Sequence, residues 1–227
     1  MKLLLFSFFT FILIAFSSCI EIIDDLSFNE DGSGTFNYTV NLSSSKVKIN
    51  SILALDSLDG KKVPSIDDIT KKLSNLVEDL KQKEGINSVD FQSDYTNFIF
   101  KLSCNFSNLE RLQTAIKELA IKENKGREVP ELHHQWLRYE NDTLVRSIPQ
   151  ITIAKTKKLS KKDSDLLKEG HYTSITRFAK EIVACSNDSA RLSKNKKAVM
   201  IRSNPYLLTQ NPQLLDNSIF LTKSMEE

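Results

Sequence analysis

The sequence predicts an α+β fold: a mostly antiparallel sheet of hairpins with two to four amphipathic helices packed on one face. Three observations carry that prediction. Apolar and polar residues alternate on either side of tight-turn signals. Several other runs recur at helical spacing behind recognisable caps. Strands and helices do not alternate regularly, as a parallel β-α-β chain would require.

Residues 21–27 read as a strand that runs into Asn29-Glu30-Asp31-Gly32-Ser33-Gly34, with Thr35 to Asn41 as its partner. Asp-Gly between two apolar runs marks a tight turn, because glycine accepts the positive φ such a turn needs. In the partner strand Phe36, Tyr38 and Val40 alternate with Asn37, Thr39 and Asn41, the pattern of a half-buried strand. Ser43 to Leu55 predicts a helix with Val47, Ile49, Ile52, Leu53 and Leu55 on one broad apolar face. Asp56 to Pro64 reads as a polar loop.

Ser65 followed by Asp68 has the form of a capping box. Ile66, Ile69, Leu73, Leu76, Val77 and Leu80 then recur at helical spacing, and Gly85 marks the stop. Two strands are expected next, one around Val89 and Phe91 and one through Phe98, Phe100, Leu102 and Cys104. Ser107 and Glu110 form a second capping-box pattern, ahead of a stripe of Leu109, Leu112, Ile116 and Leu119 that Lys125-Gly126 closes. Trp136–Tyr139 and Thr143–Ile148 suggest a hairpin around Asn141-Asp142, and Ser160–Glu169 a short helix closed by Gly170. Residues 171–185, 197–203 and 218–222 are strand candidates, separated by breaks at Asn204-Pro205 and Asn211-Pro212.

The chain opens with a targeting signal. Lys2 supplies a positive charge, Leu3 to Phe16 form an apolar run interrupted by Ser7 and Thr10, and Ser17 and Ser18 precede Cys19. That is the layout of a secretory signal over residues 1–18, too short to span a bilayer. Phe16-Ser17-Ser18-Cys19 resembles the bacterial lipobox, in which the cysteine is acylated and becomes the new N-terminus. Phe16 stands where an aliphatic residue is usual. The expectation is a domain over residues 19–227, with a point of subdivision near 126–150. It would be held by diacylglyceryl and palmitate-type chains on Cys19, since two or more chains anchor stably. The expected location is the cell envelope, anchored to the outer membrane with the inner membrane as the alternative, facing periplasm or cell surface. Export leaves no role for nucleic acid.

Charge is unevenly spread. Residues 19–149 carry 16 Lys/Arg against 21 Asp/Glu, and residues 150–227 carry 14 against 8. The basic excess lies at Lys155, Lys157, Lys158, Lys161 and Lys162, and at Lys194, Lys196 and Lys197. An acidic partner or anionic membrane would use such a patch; lysines that merely solvate turns are the favoured reading.

Candidate chemistry is sparse. Cys104 and Cys185 are a candidate disulfide in an oxidising compartment, or else two small buried apolar residues. His133 and His134 are adjacent rather than four apart, with Glu131 nearby and His171 alone, so no metal site is expected. Asp24 and Asp25 read as part of a solvated tether or strand edge rather than an acid–base pair. No nucleophile elbow, phosphate loop or dinucleotide fingerprint is present. The expectation is a protein without catalytic residues, cofactor or metal. Asp56-Ser57-Leu58, Asp142-Thr143-Leu144 and Asp188-Ser189-Ala190 have the loose form of bacterial O-glycosylation acceptors.

The stretch from Cys19-Ile20-Glu21-Ile22 through Asn29-Glu30-Asp31-Gly32-Ser33-Gly34 resembles the opening of uncharacterised Bacteroidota lipoproteins. It is loosely similar to that of LppM-type lipoproteins, whose α+β domain is implicated in lipid binding. The resemblance covers about the first 25 residues after the signal. It implies a fold and a compartment and transfers no catalytic residue. Three functions stand open: a non-catalytic envelope lipoprotein acting as a binding or assembly module, with an envelope protein or lipid as partner; a domain enclosing a lipid or other hydrophobic ligand; and a hydrolase without recognised motifs.

Overall fold

A computed structural model of the chain describes residues 20–127, 133–148 and 167–223. The signal segment, Cys19, Glu131, the lysines from Lys155 to Lys162 and most of the helix expected at 160–169 lie outside the described residues.

The first hairpin forms as its sequence dictates. Strands β1 (Glu21–Phe28) and β2 (Gly34–Asn41) pair antiparallel through a turn in which Gly32 takes φ +81°. Asp31 accepts hydrogen bonds there from the Ser33 amide at 3.0 Å and hydroxyl at 2.6 Å. A 3₁₀ turn (Ser43–Ser45) leads into α1 (Lys46–Leu53). The broad apolar face expected here is not buried: α1 contributes no buried residue, and Val47 is 75% exposed. The expected polar loop folds into a small ribbon of β3 (Ser57–Leu58) and β4 (Lys61–Lys62).

Helix α2 (Ile66–Lys81) starts at the expected capping box. Ser65 accepts from the Asp68 amide at 3.1 Å, and the Asp68 carboxylate accepts from the Ser65 amide at 3.1 Å. It buries Val77 and Leu80 but leaves Ile66 exposed. Strands β5 (Ile86–Asp94) and β6 (Ile99–Phe106) follow, then α3 (Leu109–Glu123). The cap of α3 is Asn108, whose side chain accepts from the Arg111 amide at 2.9 Å, and not the expected Ser107–Glu110 box. Asparagine and serine compete closely as caps, and the Ser107 amide is already bonded to the Gly85 carbonyl at 2.8 Å. Pairs such as Lys122–Asp79 (2.6 Å) and Lys83–Glu118 (2.7 Å) link α3 to α2 and its C-terminal turn. Being exposed, they add little stability.

The hairpin β7 (Leu137–Glu140) and β8 (Thr143–Arg146) turns on Asn141 and Asp142, both at positive φ, the backbone such a two-residue turn needs. Strands β9 (His171–Phe178), β10 (Ile182–Cys185) and β12 (Ala198–Ser203) fall in the expected later β-region, and a short β11 (Arg191–Leu192) forms between the last two in a stretch that reads as a polar turn. The Asn204-Pro205 pair starts a helix, α4 (Pro205–Gln210), instead of breaking the chain. The Asn204 side chain accepts from the amides of Tyr206 at 2.8 Å and Leu207 at 3.3 Å. Proline fits the first helical position because its missing N–H has no partner there anyway. Likewise Pro212–Leu215 is a 3₁₀ turn before β13 (Asn217–Leu221).

The strands form a seven-stranded sheet in the order β11-β12-β9-β1-β2-β6-β5 and a four-stranded sheet in the order β10-β13-β8-β7. The α+β fold class holds, with one departure from all-antiparallel pairing: β1 runs parallel to β9. One apolar cluster joins the two sheets. Phe28 stacks on Phe178 (5.5 Å between centroids) and Tyr139 (5.6 Å) and meets Phe106 edge-on at 5.8 Å. The outer face of the large sheet is mostly polar, with Ile23, Ile175 and Met200 as apolar members. There Arg177 makes a forked contact with Asp25, its closest N–O distance 2.9 Å.

Candidate functional site

Because β1 is a central strand, its alternation decides what enters the protein. Ile22, Asp24, Leu26 and Phe28 share one face, and Asp25 faces the other way. Leu26 and Phe28 are 2% and 4% exposed, so this is the core face, and Asp24 is carried into the interior with them. The two adjacent carboxylates are therefore not a solvated tether or strand edge. They are divided between an outer surface pair and a buried group.

Three other strands complete the surroundings of Asp24. Register places Tyr38 of β2 directly opposite it. Tyr172 stands two residues before Ser174, its partner on β9, and its hydroxyl donates to Oδ2 of Asp24. The small sheet contributes Arg146 from the end of β8, whose Nη1 donates to the same Oδ2 at 3.1 Å. The side chains of Arg146 and Asp24 are only 10% and 12% exposed. Oδ1 of Asp24 is buried and has no hydrogen-bond partner among the described residues.

Burial pulls the Arg146 guanidinium down, but Asp24 and the Tyr172 oxygen outweigh it and hold the group above its ordinary range. Burial, and after it the charge of Asp24, pushes the Tyr172 phenol well above its usual value and raises that of Tyr38. Both phenols are therefore held neutral, and that of Tyr172 donates to Asp24.

This cluster lies against a cavity of about 190 Å³ between the large sheet, α3 and the small sheet. Its deep wall is buried: Asp24, Leu26, Leu112, Arg146 and Leu215. Half-buried Phe36, Ile116, Trp136 and Ile148 form the outer part. Gln113 also reaches the wall, but its amide is occupied at both ends. Its Nε2 donates to the Leu137 carbonyl at 2.8 Å and its Oε1 accepts from the Leu137 amide at 3.1 Å. A depression of about 330 Å³ on the outer face is lined by Gln92, Ser93, Asp94, Ile99 and Lys101, and no buried side chain lines it. The interior cavity is the better candidate, because an apolar wall with a few convergent polar groups is what small-molecule sites share.

The other candidates remain scattered. Cys104 lies on the core face of β6 and Cys185 at the end of β10, and both are free thiols. Burial pushes the Cys104 thiol up to about 11 and also raises Cys185, against a small opposing effect of Asn217. Alkylation of the native protein near about pH 8 is expected to spare Cys104, and denaturant to expose it. Peptide mass mapping checks this; native labelling at the denatured rate would contradict the burial. His133 and His134 are exposed, and Nε2 of His134 lies 2.9 Å from the Ser147 carbonyl oxygen. His171 begins β9. Among the described residues no group of three or more His, Cys, Asp or Glu is placed to hold a metal. Among those residues, too, no helix is long and apolar enough to cross a membrane.

No protein-family model matches the chain, and no curated protein matches it. Among solved structures it is similar to the folded domain of LppM from Mycobacterium tuberculosis, determined by NMR. That likeness has a TM-score of 0.41 and 9% identity over 91% of each chain. So slight a likeness carries no argument about this chain's function.

Proposed function

We propose that the chain is a membrane-anchored envelope lipoprotein that acts as a non-catalytic binding module. In this reading the interior cavity holds the apolar part of an amphiphile and the Asp24 cluster receives its polar end. The cavity itself carries the reading. At about 190 Å³ it exceeds the roughly 150 Å³ that admits benzene into an engineered apolar core, and its one polar region is buried and charged. The raised thiols and neutral phenols favour binding over chemistry, since neither offers an activated nucleophile.

The anchor fits the same reading. β1 begins two residues after Cys19, so an acyl group there would hold this end of the sheet within about 7 Å of the lipid surface. The same end carries exposed Val47 on α1 and Leu207, 51% exposed, on α4.

Intact and native mass spectrometry of the full chain extracted from membranes tests both parts. The expected result is a chain that starts at Cys19 with a diacylglyceryl group and carries an amphiphile. Ile116→Trp, which fills the outer part of the cavity, should abolish the second mass and leave the melting temperature nearly unchanged. A chain without the lipid would remove the anchor, and an empty wild-type protein would remove the binding role.

A further inference from the structure

We propose that the cavity selects ligands whose polar end is a hydrogen-bond donor, a hydroxyl or an ammonium group received by Oδ1 of Asp24, and that it discriminates against carboxylates. The proposal rests on the amphiphile reading above and adds the chemistry of the head group.

An arginine and a tyrosine converging at the end of an apolar cavity would by themselves form a receptor for a carboxylate, since charge-assisted hydrogen bonds to that group are strong. In this protein the chain supplies the carboxylate. Asp24 Oδ2 accepts from both Arg146 Nη1 and the Tyr172 hydroxyl. A fatty acid would have to displace Asp24 or place a second negative charge beside it, and in a poorly screened interior like charges repel strongly.

What the cluster lacks is a donor. Oδ1 is buried without a partner among the described residues, and leaving a buried acceptor unsatisfied is costly, more so when it is charged. Asp24 lines the cavity while Oδ1 itself is closed off from it, so a donor on the ligand fills that deficit once the carboxylate turns toward the cavity. The other neighbours are already engaged or unsuited to replace it. Gln113 is held by the Leu137 backbone at both ends of its amide. Tyr38 lies opposite Asp24 on the same wall, and its neutral hydroxyl can contribute a second polar contact to the bound head.

Three probes of equal chain length separate the possibilities: octanol, octylammonium and octanoate. Trp136, the chain's single tryptophan, lines the cavity and reports binding through its fluorescence. The full-length lipoprotein is titrated near neutral pH, with free probe measured by equilibrium dialysis. Octanol or octylammonium is expected to bind at least about tenfold more tightly than octanoate, which corresponds to about 1.4 kcal/mol. Asp24→Asn should then weaken octylammonium and strengthen octanoate, because Arg146 loses its built-in counter-charge. The wild-type comparison is decisive alone if that variant fails to fold. Octanoate binding as tightly as the other two would overturn the head-group assignment and leave the cavity's binding role standing. No response to any of the three would overturn both.

Discussion

Arg146→Met is expected to destabilise the protein by about 3–5 kcal/mol, read from the denaturant midpoint, because it strands a buried carboxylate. Among the described residues Asp24 keeps only the Tyr172 hydroxyl in that variant, with the small sheet still covering it. The double variant Asp24→Leu with Arg146→Met should recover most of the loss. A buried pair exchanged for apolar groups of similar size is often neutral, since both the attraction and the desolvation cost disappear together. A loss below about 1 kcal/mol for Arg146→Met would mean that the pair is solvated, as exposed pairs are. The same cluster sets a pH limit. Tyr172 titrates higher in the folded protein than the ordinary tyrosine value of 10.0. Its contribution is therefore fully present below that value and is lost as pH rises above it, where the unfolded chain ionises first. Tyr172→Phe should flatten this alkaline decline in the denaturant midpoint.

Local signals in the sequence were sufficient for several turns and caps, though not for the Ser107–Glu110 box or the 56–64 ribbon. Asp31-Gly32, the Ser65–Asp68 box and Asn141-Asp142 each specify a turn or cap from residues within a few positions, and all three form as read. The site depends on distant pairings instead. Asp24 looks like part of a tether until β9, with Ser174 opposite it, makes β1 a central strand. Nothing near residue 24 announces that parallel pairing. One signal was present: Ile22, Asp24, Leu26 and Phe28 share a strand face, so burial of the face implies burial of the carboxylate. Arg146 carried no comparable sign, because in isolation it reads as a surface charge at the end of a short hairpin. The Asn204-Pro205 pair failed for a different reason. Proline after asparagine both breaks a preceding element and starts a following one, and only the Asn204 bonds to Tyr206 and Leu207 decide which.

Gly34→Ala is expected to cost about 3 kcal/mol or more by the same denaturant measurement, at or above the usual range for overpacking a core. Gly34 is the first residue of β2 and pairs with Phe28. A β-carbon there would overlap both the Ser27 carbonyl oxygen and the ring of Phe106. These two obstacles differ in kind. The Phe106 ring is a side chain, 1% exposed and packed edge-on against Phe28, and it can be made smaller. The Ser27 oxygen belongs to the backbone of β1 and cannot yield without disturbing the pairing that fixes which face of β1 turns inward. Phe106→Leu should therefore leave most of the Gly34→Ala penalty in place when the two are combined, even though it relieves the ring contact. Full recovery in the double variant would instead assign the penalty to ring packing. Because β1 carries Asp24 four residues from this turn, a shifted pairing would also draw the carboxylate away from Arg146. Gly34→Ala should therefore alter the Trp136 emission of the folded fraction, whereas a penalty confined to ring packing should leave it unchanged.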